Sequence, residues 1–309
     1  MKVLVTGATG NVGRYVVEEL KQQGEAVRAA GTDLKKLRQL FGEDVEAVRF
    51  DFLDPSTYPD ALDSVDRVFL MRPPHLGKPR DLYPFIDAMA QRQIKLVTFL
   101  SLMGVENNTI PPHHKIEKYI EAAGIPYAHI RPGFFMQNIS GIHAREIIKD
   151  NQVFVPAGNS KTSFIDAADI AAAAAVLLHH PDRYQNTAHT ITGPEALDYH
   201  QVARILSEVT GRDIRYAKPG LLRYRKHYIR HRKLDKNYVN ITAALYLMTR
   251  MGTAREVTSG FYDITGRQPR TLKEYALKNA DCFTSAKPPA KEAALNTRAD
   301  KLKGGLVHG

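Results

Sequence analysis

"VTGATGNVGR", residues 5–14, sets three glycines at intervals of three behind a short apolar run. Such a loop either turns a strand into a helix or cradles a nucleotide, and the flanking sequence decides between the two. Upstream, "KVLVT" is apolar enough for a buried strand. Downstream, "NVGRYVVEELKQQG" (11–24) has the apolar spacing of an amphipathic helix closed by Gly24, and "AVRAA" (26–30) follows as a second strand. Strand, glycine turn, helix and strand in that order make a βαβ unit, the setting in which such glycines hold a diphosphate. Gly7 allows the tight exit from the strand, Gly10 admits a ligand close to the backbone, and Gly13 lets the helix lie against the sheet. Thr9 shares the loop. The N–H groups of Asn11 and Val12 stand at the positive end of the helix, where an anion is stabilised.

The same beat continues outward. Helical stretches "LKKLRQLF", "DLYPFIDAMAQRQ" and "HHKIEKYIEAAG" alternate with strands "EAVRF", "DRVFLM", "KLVTFLS" and "YAHIR". This alternation predicts an α/β fold, a doubly wound parallel sheet of Rossmann type with a smaller, mainly helical C-terminal lobe. Residues 1–155 are expected to form the nucleotide-binding domain, its sheet completed by segments from about 160–195. Residues 196–285 are expected to form the smaller lobe over the cleft mouth, and 286–309, poor in large apolar residues, a flexible tail.

Composition narrows the class. At 309 residues and 43% hydrophobic content the chain can bury a large core. The single cysteine, Cys282, leaves no internal disulfide and no Cys/His cluster for zinc, so no metal site is predicted. No membrane span and no signal peptide are legible, which predicts a cytoplasmic protein without a membrane partner. The net charge is +10, much of it in "RYRKHYIRHRK" (223–233). Basic groups interleaved with Tyr224 and Tyr228 could grip phosphates, but no helix-turn-helix, RNA-recognition or zinc pattern accompanies them, so a solvated face is favoured over nucleic acid.

A family resemblance joins these pieces. "TGATGNVG", "FLSLMGV" (99–105), "HHKIEKYIEAAGIPYAHIRPGFFMQNI" (113–139), "TSFIDAADIAAAAAVLL" (162–178) and "ITGPEALDYHQVARILSEVTGR" (191–212) together resemble the NmrA-like branch of the atypical short-chain dehydrogenase/reductases. The resemblance implies NAD(P) binding. It also implies either reduction of quinones and related conjugated molecules or regulation by bound dinucleotide without turnover. The second strand ends "AAGTDLKK", where Thr32 with Lys35 and Lys36 suits a 2′-phosphate and Asp33 suits a helix cap or a ribose, so NADP(H) is favoured and NAD(H) stays open. Asp51 and Phe52, after the third strand, fall where similar proteins place the adenine. Arg72 and Pro73 fall where the branch's chain passes the nicotinamide ribose, and Ser101 matches its serine or threonine after the fifth strand.

The chemistry turns on a missing pair. Typical short-chain dehydrogenases relay a proton through Tyr-x-x-x-Lys, and no such pair follows Ser101. In its place stand His113, Glu117 and Lys118. His113 and Glu117 lie four apart on one helical face, where the carboxylate is expected to orient the imidazole or raise its pKa. In "RPGFFMQN" the resemblance places substrate contacts: Phe134, Phe135 and Met136 offer flat apolar surface, and Asn138 offers a directional polar group. The sequence thus predicts an NAD(P)H-dependent reductase of a quinone-like small molecule, monomeric or homodimeric, with a non-catalytic dinucleotide sensor as the alternative.

Overall fold

The computed structural model describes residues 1–284; the tail expected over 286–309 lies outside the described residues. Strands β1 (Lys2–Val5), β2 (Val27–Gly31) and β3 (Glu46–Arg49) alternate with helices α1 (Gly13–Gln22) and α2 (Leu34–Phe41). Then come α3 (Tyr58–Leu62), β4 (Val65–Met71), α4 (Tyr83–Gln91), β5 (Leu96–Leu100), α5 (Pro112–Ala122) and β6 (Tyr127–Pro132). The chain continues through β7 (Phe134–Phe135), α6 (Gln137–Ser140), α7 (Ala144–Asp150), β8 (Gln152–Val153) and β9 (Lys161–Ile165). It returns through α8 (Ala167–His179) and β10 (Thr187–Ile191) before β11 (Ala196–Asp198), α9 (Tyr199–Thr210), β12 (Arg215–Tyr216), α10 (Leu221–Lys226) and α11 (Lys236–Arg250). Helices α12 (Gly260–Thr265), α13 (Leu272–Lys278) and α14 (Asp281–Thr284) follow. Among the described residues no helix is long and apolar enough to cross a membrane.

Seven strands form one all-parallel sheet in the order β10-β6-β5-β4-β1-β2-β3. The chain builds outward from β1 to β3, then restarts at β4 on the other side of β1. This is the doubly wound Rossmann-type fold, with its switch point between β1 and β4. Strands buried on both faces read as near-continuous apolar runs, and Val68–Met71 of β4 and the β5 run, broken only by the buried Thr98, do so because helices cover both sides. On one face α1 meets α8, whose Ala171–Ala175 run is buried throughout and brings the helix axis close to the sheet. On the other, Ile116 and Ile120 of α5 and Phe85 of α4 close over Leu4, Val68, Val97 and Phe99.

The contacts divide the described residues into two compact units: residues 1–133, 167–192 and 258–269, and residues 134–166, 193–257 and 270–284. Residues 134–155, expected with the first domain, group with the second unit because β7 pairs in parallel with β9, Phe134 opposite Phe164. Residues 258–269 return to the first unit because the Thr258 N–H donates to Thr192 Oγ1 (2.9 Å) and α12 packs on α8.

In the second unit the basic stretch 223–233 is not one solvated helix. It is α10 followed by a π-helical turn at His227–His231. The wider turn keeps Tyr224, Tyr228 and Arg232 facing inward; both tyrosines are fully buried and Arg232 is 6% exposed. Arg232 donates twice to the buried Glu146 of α7 (2.6 and 2.7 Å), and Glu146 also meets His227 Nε2 at 2.8 Å. Part of the cationic run is therefore committed to a buried ion pair, a role that composition cannot reveal.

Candidate functional site

The glycine turn opens at the carboxyl edge of the sheet. Gly7 has φ +62°, and a Cβ there would stand 2.3 Å from Met71 Sδ. At Gly13 a Cβ would stand 2.3 Å from the Gly7 carbonyl oxygen, so both ends of the turn are closed to side chains. Gly10 differs. A Cβ there would press on the Gly7 oxygen at 3.0 Å and otherwise find Met71 Sδ at 3.8 Å, leaving the outer side of the turn open. The Thr6 hydroxyl donates to Phe69 O (3.0 Å) and accepts from the Met71 N–H (3.1 Å), tying the start of the turn to the end of β4.

Helix α1 starts at Gly13 with no side-chain cap and no acidic residue in its first turn. Among the described residues no backbone carbonyl accepts from the Asn11 or Val12 amide. The positive end of a ten-residue helix is thus left bare at the switch point, where unpaired donors and the helix dipole together suit a diphosphate. Thr9 lies in the same turn.

At the end of β2, Asp33 Oδ1 accepts from the Lys36 N–H (3.0 Å), which makes it the cap of α2. Thr32, Lys35 and Lys36 are exposed, and neither lysine belongs to an ion pair among the described residues. After β3, Asp51 Oδ1 accepts from the Leu53 N–H (2.9 Å), so its carboxylate serves a local turn. Phe52 is 6% exposed and packs edge-on to Phe50 at 4.7 Å, within a cluster that includes Tyr58 and Phe85. Its ring belongs to the core of this unit.

Beyond β4, the half-buried Arg72 donates to Pro73 O (3.2 Å) and Leu76 O (2.6 Å), which rigidifies the Pro73–Pro74 passage. Burial lowers the pKa of its guanidinium. Ser101 is buried immediately after β5. His113 sits in the first turn of α5, its ring 6.0 Å from Phe99, and its Nδ1 is buried without a hydrogen-bond partner. Burial pushes the His113 pKa down to about 3, with the positive charge of Arg72 adding to the effect.

The expected partnership of Glu117 with His113 is corrected by this geometry. Arg131 of β6 takes both Glu117 oxygens, Nε at 3.1 Å and a terminal nitrogen at 2.7 Å. Although burial opposes the charge, these bonds hold the Glu117 carboxyl below its usual range. Glu117 still favours a charged His113, but desolvation of the ring wins. Lys118 lies on the exposed side of α5, where its ammonium pairs with Glu121 at 2.6 Å.

In the second unit, Phe134 and Phe135 are half-buried on β7, Phe134 standing 6.3 Å from the Tyr246 ring. Asn138 is exposed. Met136, expected to offer apolar surface beside them, is 1% exposed and belongs to the core of this unit. Sequence reasoning missed the bracing by Thr6 and the pairing of Arg131 with Glu117. The pairing left no signal, because a buried ion pair arises only when two distant elements meet.

A model of the NmrA-like family matches residues 1–276. Prestalk A differentiation protein A of Dictyostelium discoideum is 32% identical over 280 residues, covering 89% of this chain and 91% of that protein. An NAD(P)H azoreductase of Xenophilus azovorans is 29% identical over 299 residues, covering 92% and 100%. Among solved structures, Citrobacter sp. triphenylmethane reductase complexed with NADP(H) superposes with a TM-score of 0.81 at 21% identity, covering 91% of this chain and 100% of that one. An NADPH-dependent quinone oxidoreductase of Escherichia coli complexed with NADPH also gives 0.81 at 21% identity, covering 88% and 98%. At such identities the structural likeness speaks for the fold.

Proposed function

From the premise that the chain belongs to the NmrA-like family, we propose that it is an NADPH-dependent reductase of flat, conjugated small molecules of the quinone type. The observation that carries this reading is the uncapped glycine turn at the β1/β4 switch point, with donors free and Gly10 open outward. Relatives and fold neighbours bearing names of NAD(P)H-linked reductases support it. When bound, the reduced nicotinamide supplies a hydride to a conjugated acceptor.

The chain's own residues supply the rest. Amides of Asn11, Val12 and Gly13 hold the diphosphate, and Thr32 with the unpaired Lys35 and Lys36 receives a 2′-phosphate. Ser101 and the braced Arg72–Pro73 passage line the ribose. His113, neutral over the whole physiological range, donates a hydrogen bond from its one ring N–H to the acceptor's oxygen. It does not deliver a proton from an imidazolium, so the proton that completes the reduction comes from water.

A second reading, a dinucleotide sensor without turnover, draws on the lack of a cationic acid: His113 is neutral and Lys118 is turned to solvent. NADPH consumption over a panel of benzoquinones, naphthoquinones and enones separates the two. Turnover of at least one acceptor is expected. Tight NADPH binding with no acceptor consumed establishes the sensor instead.

A further inference from the structure

Helix α11 is apolar on the side turned away from its core. Val239, Ala243, Tyr246 and Thr249 point inward and are buried. The opposite arc over residues 241–251 is Ile241, Ala244, Leu245, Leu247, Met248 and Met251, all exposed except the half-buried Met248, with Ile241 at 62% and Met251 at 70%. Arg250 is the one charged residue of that stretch, and its Nε is drawn off to Pro156 O (2.7 Å). A helix apolar on both faces ordinarily has both covered, and a run of exposed apolar side chains marks a docking surface.

The rim of this face is basic. Residues 221–257 carry nine Lys and Arg against two acidic residues, Asp235 and Glu256. Lys236 stands in the first turn of α11, and Arg225 of α10 lies beside the helix, its Nε donating to Asn240 Oδ1 (2.9 Å). Just past the helix end Arg255 lies over Gly252, where an added Cβ would meet its side chain at 3.7 Å. Among the described residues none of these three cations belongs to an ion pair.

Together the two features select the occupant. A second copy seated here would bring two basic rims together, and a helix face of this length is about 16 Å long and about 10 Å wide. That footprint is far below the ~800 Å² per partner of a stable protein interface. A nucleic acid would satisfy the cations but leave the apolar side chains against phosphate. An anionic lipid surface answers both needs: headgroups meet the cations, and acyl chains take the apolar side chains without a matching groove. Among the described residues no helix crosses a membrane, but a helix can lie in the interface without crossing it.

We propose that α11 docks the protein on an anionic lipid surface. Its 241–251 face enters the headgroup layer, and Arg225, Lys236 and Arg255 pair with lipid phosphates. The inference does not rest on the dinucleotide reading.

The experiment is sedimentation of the full-length protein with vesicles of equimolar phosphatidylglycerol and phosphatidylcholine, with vesicles of phosphatidylcholine alone as the control. Co-sedimentation with the anionic vesicles is expected, weakening as salt is raised, with little on the neutral ones. Lys236→Gln/Arg255→Gln and Leu245→Gln/Met251→Gln change exposed side chains only. Each pair should lower the affinity for anionic vesicles by about tenfold or more with the melting temperature unchanged. The chain has no tryptophan, so Leu247→Trp reports on its own surroundings, and its emission should move to the blue on anionic vesicles. No co-sedimentation with anionic vesicles, binding indifferent to Leu245→Gln/Met251→Gln, or an unmoved Leu247→Trp emission overturns the proposal. So does self-association in light scattering without lipid that Leu245→Gln/Met251→Gln abolishes, which would make a second copy the occupant.

Discussion

Single residues divide into those that shape the backbone and those that carry charge. Gly13 is of the first kind: a Cβ there meets the Gly7 oxygen at 2.3 Å, an atom that cannot move without the turn. Gly13→Ala is predicted to destabilise the fold by roughly 1–3 kcal/mol, the range for overpacking, measured by urea unfolding. Lys35 and Lys36 are of the second kind. Replacing both with alanine should raise the NADPH dissociation constant by about tenfold, leave that of NADH within about twofold, and leave stability unchanged. Equal effects on the two dinucleotides would remove the 2′-phosphate assignment. The glycines were legible because their need is local: a sharp turn and a close helix are written in three neighbouring positions. The state of His113 was not. Its neutrality follows from how deeply α5 and the arginine after β4 enclose it, and spacing along one helix carries no information on depth.

At the scale of elements, the alternation of apolar runs and amphipathic helices predicted the six strands through β6 and the longer helices between them, because the central strands β1, β4 and β5 are buried on both faces. The basic stretch misled for the opposite reason. Its period sends Tyr224, Tyr228 and Arg232 inward, and a cation facing the core reads in sequence like one facing water until its acid, Glu146 on α7, is found. Glu146 is ionised, so the Tyr228 hydroxyl donates to it (3.2 Å) and must accept from His143 Nδ1–H (2.8 Å). His143 Nε2 then accepts from the Tyr246 hydroxyl at 2.7 Å. Glu146→Ala strands a buried guanidinium and should cost about 3–5 kcal/mol in denaturant unfolding.

The buried histidines also set an acid response. Burial depresses His113 to about 3 and His129 and His143 to about 4, from an ordinary 6.5. The unfolded chain takes up protons at these rings below about pH 6.5 while the folded chain refuses them, so stability is complete above that pH and falls toward pH 4. Carboxylates with lowered pKa, such as Glu117 and Glu146, add their own loss only below their ordinary value of 4.5. The melting temperature should therefore already drop between pH 6.5 and 5. His129→Phe, which removes one ring stacked on Tyr127 at 4.4 Å, should flatten that slope. An unchanged slope would mean that His129 is not held neutral.

For the whole molecule, the chain builds a Rossmann-type unit, leaves it after β6, and comes back twice. The parallel sheet, its switch point and the completion of the sheet by segments from about 160–195 were legible from the order of elements, whereas the second return, over 258–269, was not, since it depends on contacts such as Thr258 with Thr192 that join residues far apart in sequence. What the architecture positions is a set of bare amides at the start of α1, and the functional account rests on these binding a diphosphate. The most direct measurement is calorimetric titration of NADPH into the protein and into Gly10→Val, whose side chain would fill the open outer side of the turn. The account predicts saturable binding to the parent that is lost in the variant, with the variant's melting temperature lowered by only about a few degrees. Heat absent from the parent, or equal affinity in both, would contradict it.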